Sequence, residues 1–455
     1  MLWLVYRARM AGQLGKQITN VPIEKLVFGG QGLAHFEGKT FFVWGGLPGE
    51  QIDATVVRRR GGVSEAVVTH VDKPSPDRVE AREPHYLSCS PWQILSPAAE
   101  HDWKIKTAQE VFERIGHIEM PTLELVGPSE LEGQYGYRNK MEYSFIAVPD
   151  PKRPGLSLAF FERATHQRQP IDGCALARPE IANAATKLTK WLEQQGVSAA
   201  QIKSLVLRSD GKRVVAGLFL MDEDFTRNNT PKNPTLDARL ALKAVELSGM
   251  AIFYSDPRSP VSRVDAVISE AGSLELVQTV RGRALAYGLE SFFQVNVPVF
   301  EQALERMAKF IQPEEPLIDL YGGVGSIGIC VAQPTQQLTV VESNSEAIEF
   351  AERNAVAAGL KNATAFESVT ERAVHLITPE ATVILDPPRA GLHARVTQRL
   401  VAVRPKKIIY LSCNVSTQAR DLALLKDHYR IVDAGLFNFF PRTPHVESLV
   451  VFERV

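Results

Sequence analysis

Between residues 16 and 72, apolar positions come in short alternating runs cut by glycines. Residues 18–26 lead to Gly29, Gly30 and Gly32, and 39–44 run into Gly45, Gly46 and Gly49. Residues 51–60 and 63–70 are joined at Gly61 and Gly62. Period-two alternation at this spacing predicts a small β-barrel. From Tyr287 the pattern changes. Positions 297–310 repeat at helical spacing, and 316–320 is a solid apolar run followed by YGGVG and a helix. Residues 338–341 form a second run ending at Glu342, with a helix beyond it to Gly359. Strands at 383–385 and 407–411 alternate with helices at 394–403 and 416–425, before final strands at 431–437 and 447–452. This alternation predicts an α/β domain with a doubly wound, mostly parallel sheet. Ser343 and Glu346 have capping-box spacing, and Gly359 suits the position after a helix end.

Between these patterns, the proline- and charge-rich stretch 72–84 (DKPSPDRVEAREP) marks a boundary. Beyond it, 101–115 is helical in period, while 137–148, 251–254 and parts of 205–220 read as strands, the last broken at Gly211. The expected division is an OB-like barrel over 10–72, a linker with a central α+β domain over 73–282, and the doubly wound domain over 283–455. The opening MLWLVYRARM is short for a secretory signal and lacks a cleavage site, so it reads as a tail, or as upstream sequence if Met10 is the start.

Composition narrows the partners. With 45% hydrophobic and 23% charged residues, the chain is of the soluble globular class. A net charge of -1 means that nucleic-acid binding must come from local patches. Arg58, Arg59 and Arg60 near Phe41, Phe42 and Trp44 form one candidate, and Arg138, Asn139 and Lys140 beside Tyr135 and Tyr137 another. Each has a plain alternative: barrel core with a solvated edge, and a surface strand entry. Cys89, Cys174, Cys330 and Cys413 form no pairable framework, which fits a reducing compartment. No apolar run is long enough to cross a bilayer. A cytoplasmic protein is expected, and a monomer is the default for its oligomeric state.

The chemistry concentrates in the last third. Gly323, Gly325 and Gly328 match a dinucleotide fingerprint, with Glu342 placed to accept hydrogen bonds from a ribose. That pattern fits NAD and fits S-adenosylmethionine. Asp386, Pro387 and Pro388 end a strand, and prolines fix the backbone and leave carbonyls free to face a planar base. Cys413, followed by polar Asn414 at the next strand end, reads as a reactive thiol, whereas Cys330 sits among apolar residues and reads as core. Glu447 by itself reads as a surface carboxylate.

Together IDLYGGVGSIGI, LDPPRAGL, YLSCNVSTQARDL and FPRTPHVESLVVFERV resemble the RNA (uracil-5-)-methyltransferase family. FFQVN at 292–296 also matches, and the barrel is similar to the TRAM domain of the family's ribosomal-RNA branch. The resemblance implies a class I methyltransferase that forms 5-methyluridine, in 23S rRNA by preference and in tRNA as the alternative. It implies that Gln294, Tyr321, Glu342 and Asp386 contact S-adenosylmethionine, that Cys413 is the nucleophile adding to uracil C6, and that Glu447 is the base. Many TRAM-bearing members hold an iron–sulfur cluster on four cysteines. Here Glu83 and Trp92 stand at two apparent ligand positions, leaving Cys89 and Cys174. Two thiolates are too few. No cluster and no metal ligand are therefore expected, with Trp92 filling the space. The rival readings are an NAD-dependent oxidoreductase, an amino-group methyltransferase that would not need Cys413, and a non-catalytic RNA-binding module.

Overall fold

The computed structural model describes residues 15–149, 155–163, 165, 167–221 and 236–455; the tail with Met10 and the side chain of Arg60 lie outside them. Strands between Gln17 and Lys73 form one six-stranded, barrel-like sheet, closed in part by a parallel pairing of Lys39–Trp44 with Val63–Lys73. Alternation decides what each side chain does. Phe41 and Val43 point into the barrel core, and Phe42 and Trp44 lie half-buried on the other face. Arg58 and Arg59 are exposed. Trp44 is already engaged, carrying the Arg163 guanidinium 4.5 Å above its ring.

A seven-stranded sheet forms the middle of the chain, with the helices Pro179–Gln194 and Ala238–Val245 packed on it around Leu188, Leu192, Leu205 and Leu218. The C-terminal sheet has eight strands in the order Ala363–Glu367, Leu338–Glu342, Leu317–Leu320, Thr382–Leu385, Lys407–Ser412, Glu447–Arg454, Tyr429–Phe437 and Leu125–Val126. The first five run parallel, and Glu447–Arg454 is inserted antiparallel between its neighbours. Helices cover the sheet, so its solid apolar strands bury both faces. This is the doubly wound architecture expected.

Several elements depart from expectation. The helix Pro97–Val111, its continuation Phe112–Gly116 and the strand Leu125–Val126 belong with the C-terminal sheet rather than with the central one. Ala108, Val111 and Phe112 share a core with Ala419 and Leu422. The hairpin Leu276–Val280 and Arg283–Tyr287 straddles the expected boundary at 282, and its Leu285 and Tyr287 join the core of the C-terminal sheet. The helix after the glycine loop is a single turn, Gly328–Val331. Asn344, not Ser343, caps the next helix, Ser345–Ala357, by accepting from Ala347 N at 2.9 Å. Glu346 instead takes the Ser291 hydroxyl at 3.2 Å.

A buried polar cluster ties the linker to the C-terminal sheet. Glu100, Lys104 and Arg442 are each fully buried. Arg442 donates to Glu100 Oε2 and Gln134 Oε1, each at 3.0 Å, and to the carbonyls of Gln93 and Leu95. Lys104 Nζ donates to Asn438 Oδ1 at 2.6 Å and to Phe440 O at 3.1 Å. Glu100 also pairs with Lys104 at 2.9 Å, so removing Arg442 leaves that ion pair balanced but takes the donor from Gln134 Oε1 and from the Gln93 and Leu95 carbonyls in a dry interior. Arg442→Met should therefore cost about 1–3 kcal/mol for each acceptor left unsatisfied, read as a lower thermal midpoint by scanning fluorimetry. An unchanged midpoint would show that the guanidinium contributes no net stability.

Candidate active site

Each strand of the parallel sheet ends at the same edge, and the chain turns there into polar loops. Leu317–Leu320 ends at Tyr321, which adopts a left-handed φ of 63° and turns the backbone into the glycine loop. Gly323 continues this with φ 55°, and a Cβ built on it would face open space, so this glycine answers to conformation rather than crowding. Gly328 answers to crowding. A Cβ there would lie 2.7 Å from Asp319 Oδ2, which instead accepts from Gly328 N at 2.8 Å. Asp319 is fully buried, its Oδ1 has no partner, and burial together with Glu342 pushes its pKa up to about 7.

Glu342 closes the neighbouring strand and organises the loops on both sides. Its Oε2 accepts from Gly323 N at 3.2 Å, while Oε1 accepts from Ser343 N at 2.6 Å, Ser343 Oγ at 3.0 Å and Asn344 N at 2.9 Å. On the other side, Thr382–Leu385 delivers Asp386, whose Oδ2 accepts from Gln294 Nε2 at 3.3 Å. Burial and the Asp319 carboxylate push Asp386 up to about 7. Gln294 is held from behind. Asn139 Nδ2 donates to its carbonyl at 2.9 Å, and Asn139 N to Val295 O at 3.3 Å. Asn139 and Tyr137 are thus interior, which corrects their reading as an RNA-facing cluster; only Tyr135, Arg138 and Lys140 keep partial exposure.

Cys413 follows the strand Lys407–Ser412 and is half-buried. Asn414 after it caps Val415–Leu425 through Ser416 N at 3.1 Å and donates to Arg389 O at 2.8 Å, tying the thiol's loop to the Asp-Pro-Pro-Arg turn. Glu447 opens the antiparallel strand. Since Ser412 pairs with Ser448, the next position outward sets Cys413 opposite Glu447. Glu447 is 2% exposed, and its Oε2 has no hydrogen-bond partner. This corrects its reading as a surface carboxylate: the register turns it into the protein at the sheet edge.

The electrostatics are those of a dry, anionic site. Burial, with Glu447 and Asp386 alongside, pushes the Cys413 thiol up to about 12, while Arg389 pulls the other way. Burial and Asp386 hold the Glu447 carboxyl well above the usual range. His445 is pushed down to about 3 by burial and by Arg389 nearby, and stays a neutral imidazole. Asp319, Asp386 and Glu447 together make a seat for a cation, which would favour their ionised forms. S-adenosylmethionine carries such a charge, and beside Glu342 the backbone at Gly323 is open to approach, so these residues fit that cofactor. Asp319 and Asn139 belong to this arrangement, but from sequence Asp319 is not singled out and Asn139 is read only as part of an RNA-facing cluster. Asp319 lies within the quoted IDLYGG run, whereas nothing local to Asn139 signals its role. Cys330, as expected, is buried core.

The fold is that of a class I methyltransferase. The crystal structure of a Pyrococcus abyssi tRNA (uracil-54, C5)-methyltransferase in complex with S-adenosyl-L-homocysteine matches with a TM-score of 0.72 and 24% identity, over 96% of this chain and 100% of that one. The family model described as tRNA (Uracil-5-)-methyltransferase matches residues 377–455, and that of the methyltransferase small domain matches 302–408. An uncharacterized RNA methyltransferase of Nitratidesulfovibrio vulgaris is 30% identical over 95% of each chain. A 23S rRNA (uracil(1939)-C(5))-methyltransferase of Alkalilimnicola ehrlichii is 29% identical over 97% of this chain and 99% of its own. The chain belongs to the RNA (uracil-5-)-methyltransferase family. The oxidoreductase reading, which rested on the glycine pattern alone, falls. Among the described residues no helix is long and apolar enough to cross a membrane.

Proposed function

We propose that this chain forms 5-methyluridine in RNA through a covalent adduct between Cys413 Sγ and uracil C6. The observation that carries the mechanism is the register placing Cys413 opposite the buried, unpartnered Glu447 beside Asp386. Uracil C5 is a poor nucleophile. Addition of the Cys413 thiolate forms an S–C6 bond and moves the C5–C6 electron pair into an enolate, making C5 nucleophilic. When bound, S-adenosylmethionine supplies the electrophilic sulfonium methyl. Glu447 Oε2 takes the C5 proton, the pair from that C–H bond restores the C5–C6 double bond, and the S–C6 bond breaks. One methyl enters and one proton leaves. Gln294 and Asp386 hold the cofactor's polar end, and Tyr321 and Glu342 its nucleoside. The base must be flipped from its stack to meet the thiol at its face.

Since Glu342 holds the glycine loop as well as a ribose, Glu342→Ala should weaken S-adenosylmethionine binding by about 1.5–3 kcal/mol. Unchanged affinity by calorimetry would remove that assignment.

The favoured target is 23S rRNA, in line with the name of the Alkalilimnicola relative and the barrel-like N-terminal sheet. tRNA is the second reading, since the Pyrococcus enzyme of similar fold acts there. The setting is the cytoplasm, and the acting form a monomer. The test is to map 5-methyluridine in rRNA and tRNA from a strain lacking the gene, then restore it with purified protein. Loss and restoration at one rRNA uridine is the expected result. A lost tRNA uridine would move the target, and methyl appearing only on amino groups or ribose would overturn the chemistry.

A further inference from the structure

Four side chains outside this site gather where the linker meets the central sheet. Glu83 and His85 lie in the turn leading into the helix Tyr86–Cys89, Cys89 ends that helix, and Cys174 comes from the loop after Arg168–Ile171. One donor atom from each lies within 4.8 Å of all the others. His85 and Cys174 are both 5% exposed. His85 Nε2 is buried without a partner in hydrogen-bonding geometry, although Glu83 Oε1 stands 3.3 Å away. Glu83 is held in place by Ala175 N, which donates to Oε1 at 2.7 Å, and by Gln93 Nε2, which donates to Oε2 at 2.9 Å. Trp92 does not fill this space. It packs among Leu26, Leu47 and Leu95, with its indole N–H on Gly30 O at 3.1 Å.

We propose that Glu83, His85, Cys89 and Cys174 hold one zinc-class divalent cation as a closed structural site. Two thiolates, an imidazole and a carboxylate make a donor set suited to zinc, whereas magnesium and calcium favour oxygen alone. Bonds of about 2.0–2.3 Å in a tetrahedron place donors roughly 3.3–3.8 Å apart, within reach of the observed clustering by small side-chain adjustments. The iron–sulfur cluster raised by the family resemblance does not fit, because only two of these donors are thiolates and one compact cage replaces ligands spread over several irons. The expectation of no metal counted cysteines only and passed over His85. Four protein ligands leave no open position, so the ion would cross-link residues 83–89 to the Cys174 loop. That same segment continues to Gln93 and Leu95, whose carbonyls receive Arg442, five residues before Glu447.

The test uses full-length protein purified under reducing conditions without added metal, then analysed by elemental mass spectrometry. One zinc per chain is expected. After chelation, titration with cobalt(II) should give the visible bands of a tetrahedral site together with thiolate charge transfer. Cys174→Ser should lose most of that charge-transfer intensity. Gln93→Leu, which removes no ligand but takes away the hydrogen bonds to Glu83 and to Ser90 Oγ beside Cys89, should keep the bands and bind about 10–100-fold more weakly. Wild-type protein that takes up neither zinc nor cobalt would overturn the proposal. So would iron with acid-labile sulfide, or a Cys89–Cys174 disulfide in the reduced preparation. If Cys174→Ser fails to fold, the wild-type cobalt titration decides alone.

Discussion

Cys413→Ala is expected to lower methyl transfer to RNA by roughly 10⁴-fold or more, the scale for loss of an essential nucleophile, while cofactor and RNA binding stay within a few-fold. The side chain is half-buried at the strand end and bears none of the core, so folding should survive. The same thiol provides a second readout. It is pushed up to about 12 by burial and by Glu447 and Asp386, so its thiolate is a trace species in the RNA-free protein at neutral pH. Below the pKa, the thiolate fraction grows about tenfold per pH unit. Alkylation of Cys413 by iodoacetamide should therefore rise by that factor per unit between about pH 7 and 9, without levelling. Labelling followed by peptide mass spectrometry checks this. Methylation that survives in Cys413→Ala would end the covalent mechanism, and the amino-group alternative would then take precedence. A plateau in alkylation near pH 7 would show instead that the free site already holds a thiolate.

What could be read from the chain follows from which forces are local. The parallel strands announce themselves because burial on both faces demands solid apolar runs such as Leu317–Leu320 and Thr382–Leu385, and each reactive residue follows directly after its run. Ala363–Glu367 was missed because an edge strand with mostly exposed positions needs no such run. Leu125–Val126 is two residues long and exists only through its parallel pairing with Leu436 and Phe437. Glu447 was misread for a related reason. Its burial depends on the last strand inserting antiparallel beside Lys407–Ser412, a choice of register that the residues around Glu447 do not encode. Asn139 and His85 are likewise defined by partners more than eighty residues away, Gln294 for one and Cys174 for the other. Local pattern specifies the sheet edge, while long-range register decides which polar groups converge on it.

Glu447→Gln should stop the reaction one step later than Cys413→Ala. The amide keeps the size of the carboxyl in a site that is 2% exposed, so the strand and its pairing with Lys407–Ser412 should persist. What it cannot do is accept the C5 proton. Thiol addition and methyl transfer remain possible, but expulsion of the thiolate needs that proton to leave, so a methylated Cys413–RNA adduct should accumulate. Turnover should fall by about 10²–10⁴-fold, the usual contribution of a positioned base. In the wild type, burial and Asp386 hold the Glu447 carboxyl above its ordinary pKa, so the ionised, proton-accepting form grows as pH rises and release should quicken with it. Wild type and both variants are incubated with methyl-labelled S-adenosylmethionine and substrate RNA, then resolved on denaturing gels. The expected pattern is label in RNA for wild type, none for Cys413→Ala, and label in a slowly dissolving protein–RNA band for Glu447→Gln. An amino-group methyltransferase would give no such band in either variant. If Glu447→Gln turns over like wild type with no trapped band, Cys413 stands as nucleophile and another group, such as the neighbouring Asp386 carboxylate, must take the proton.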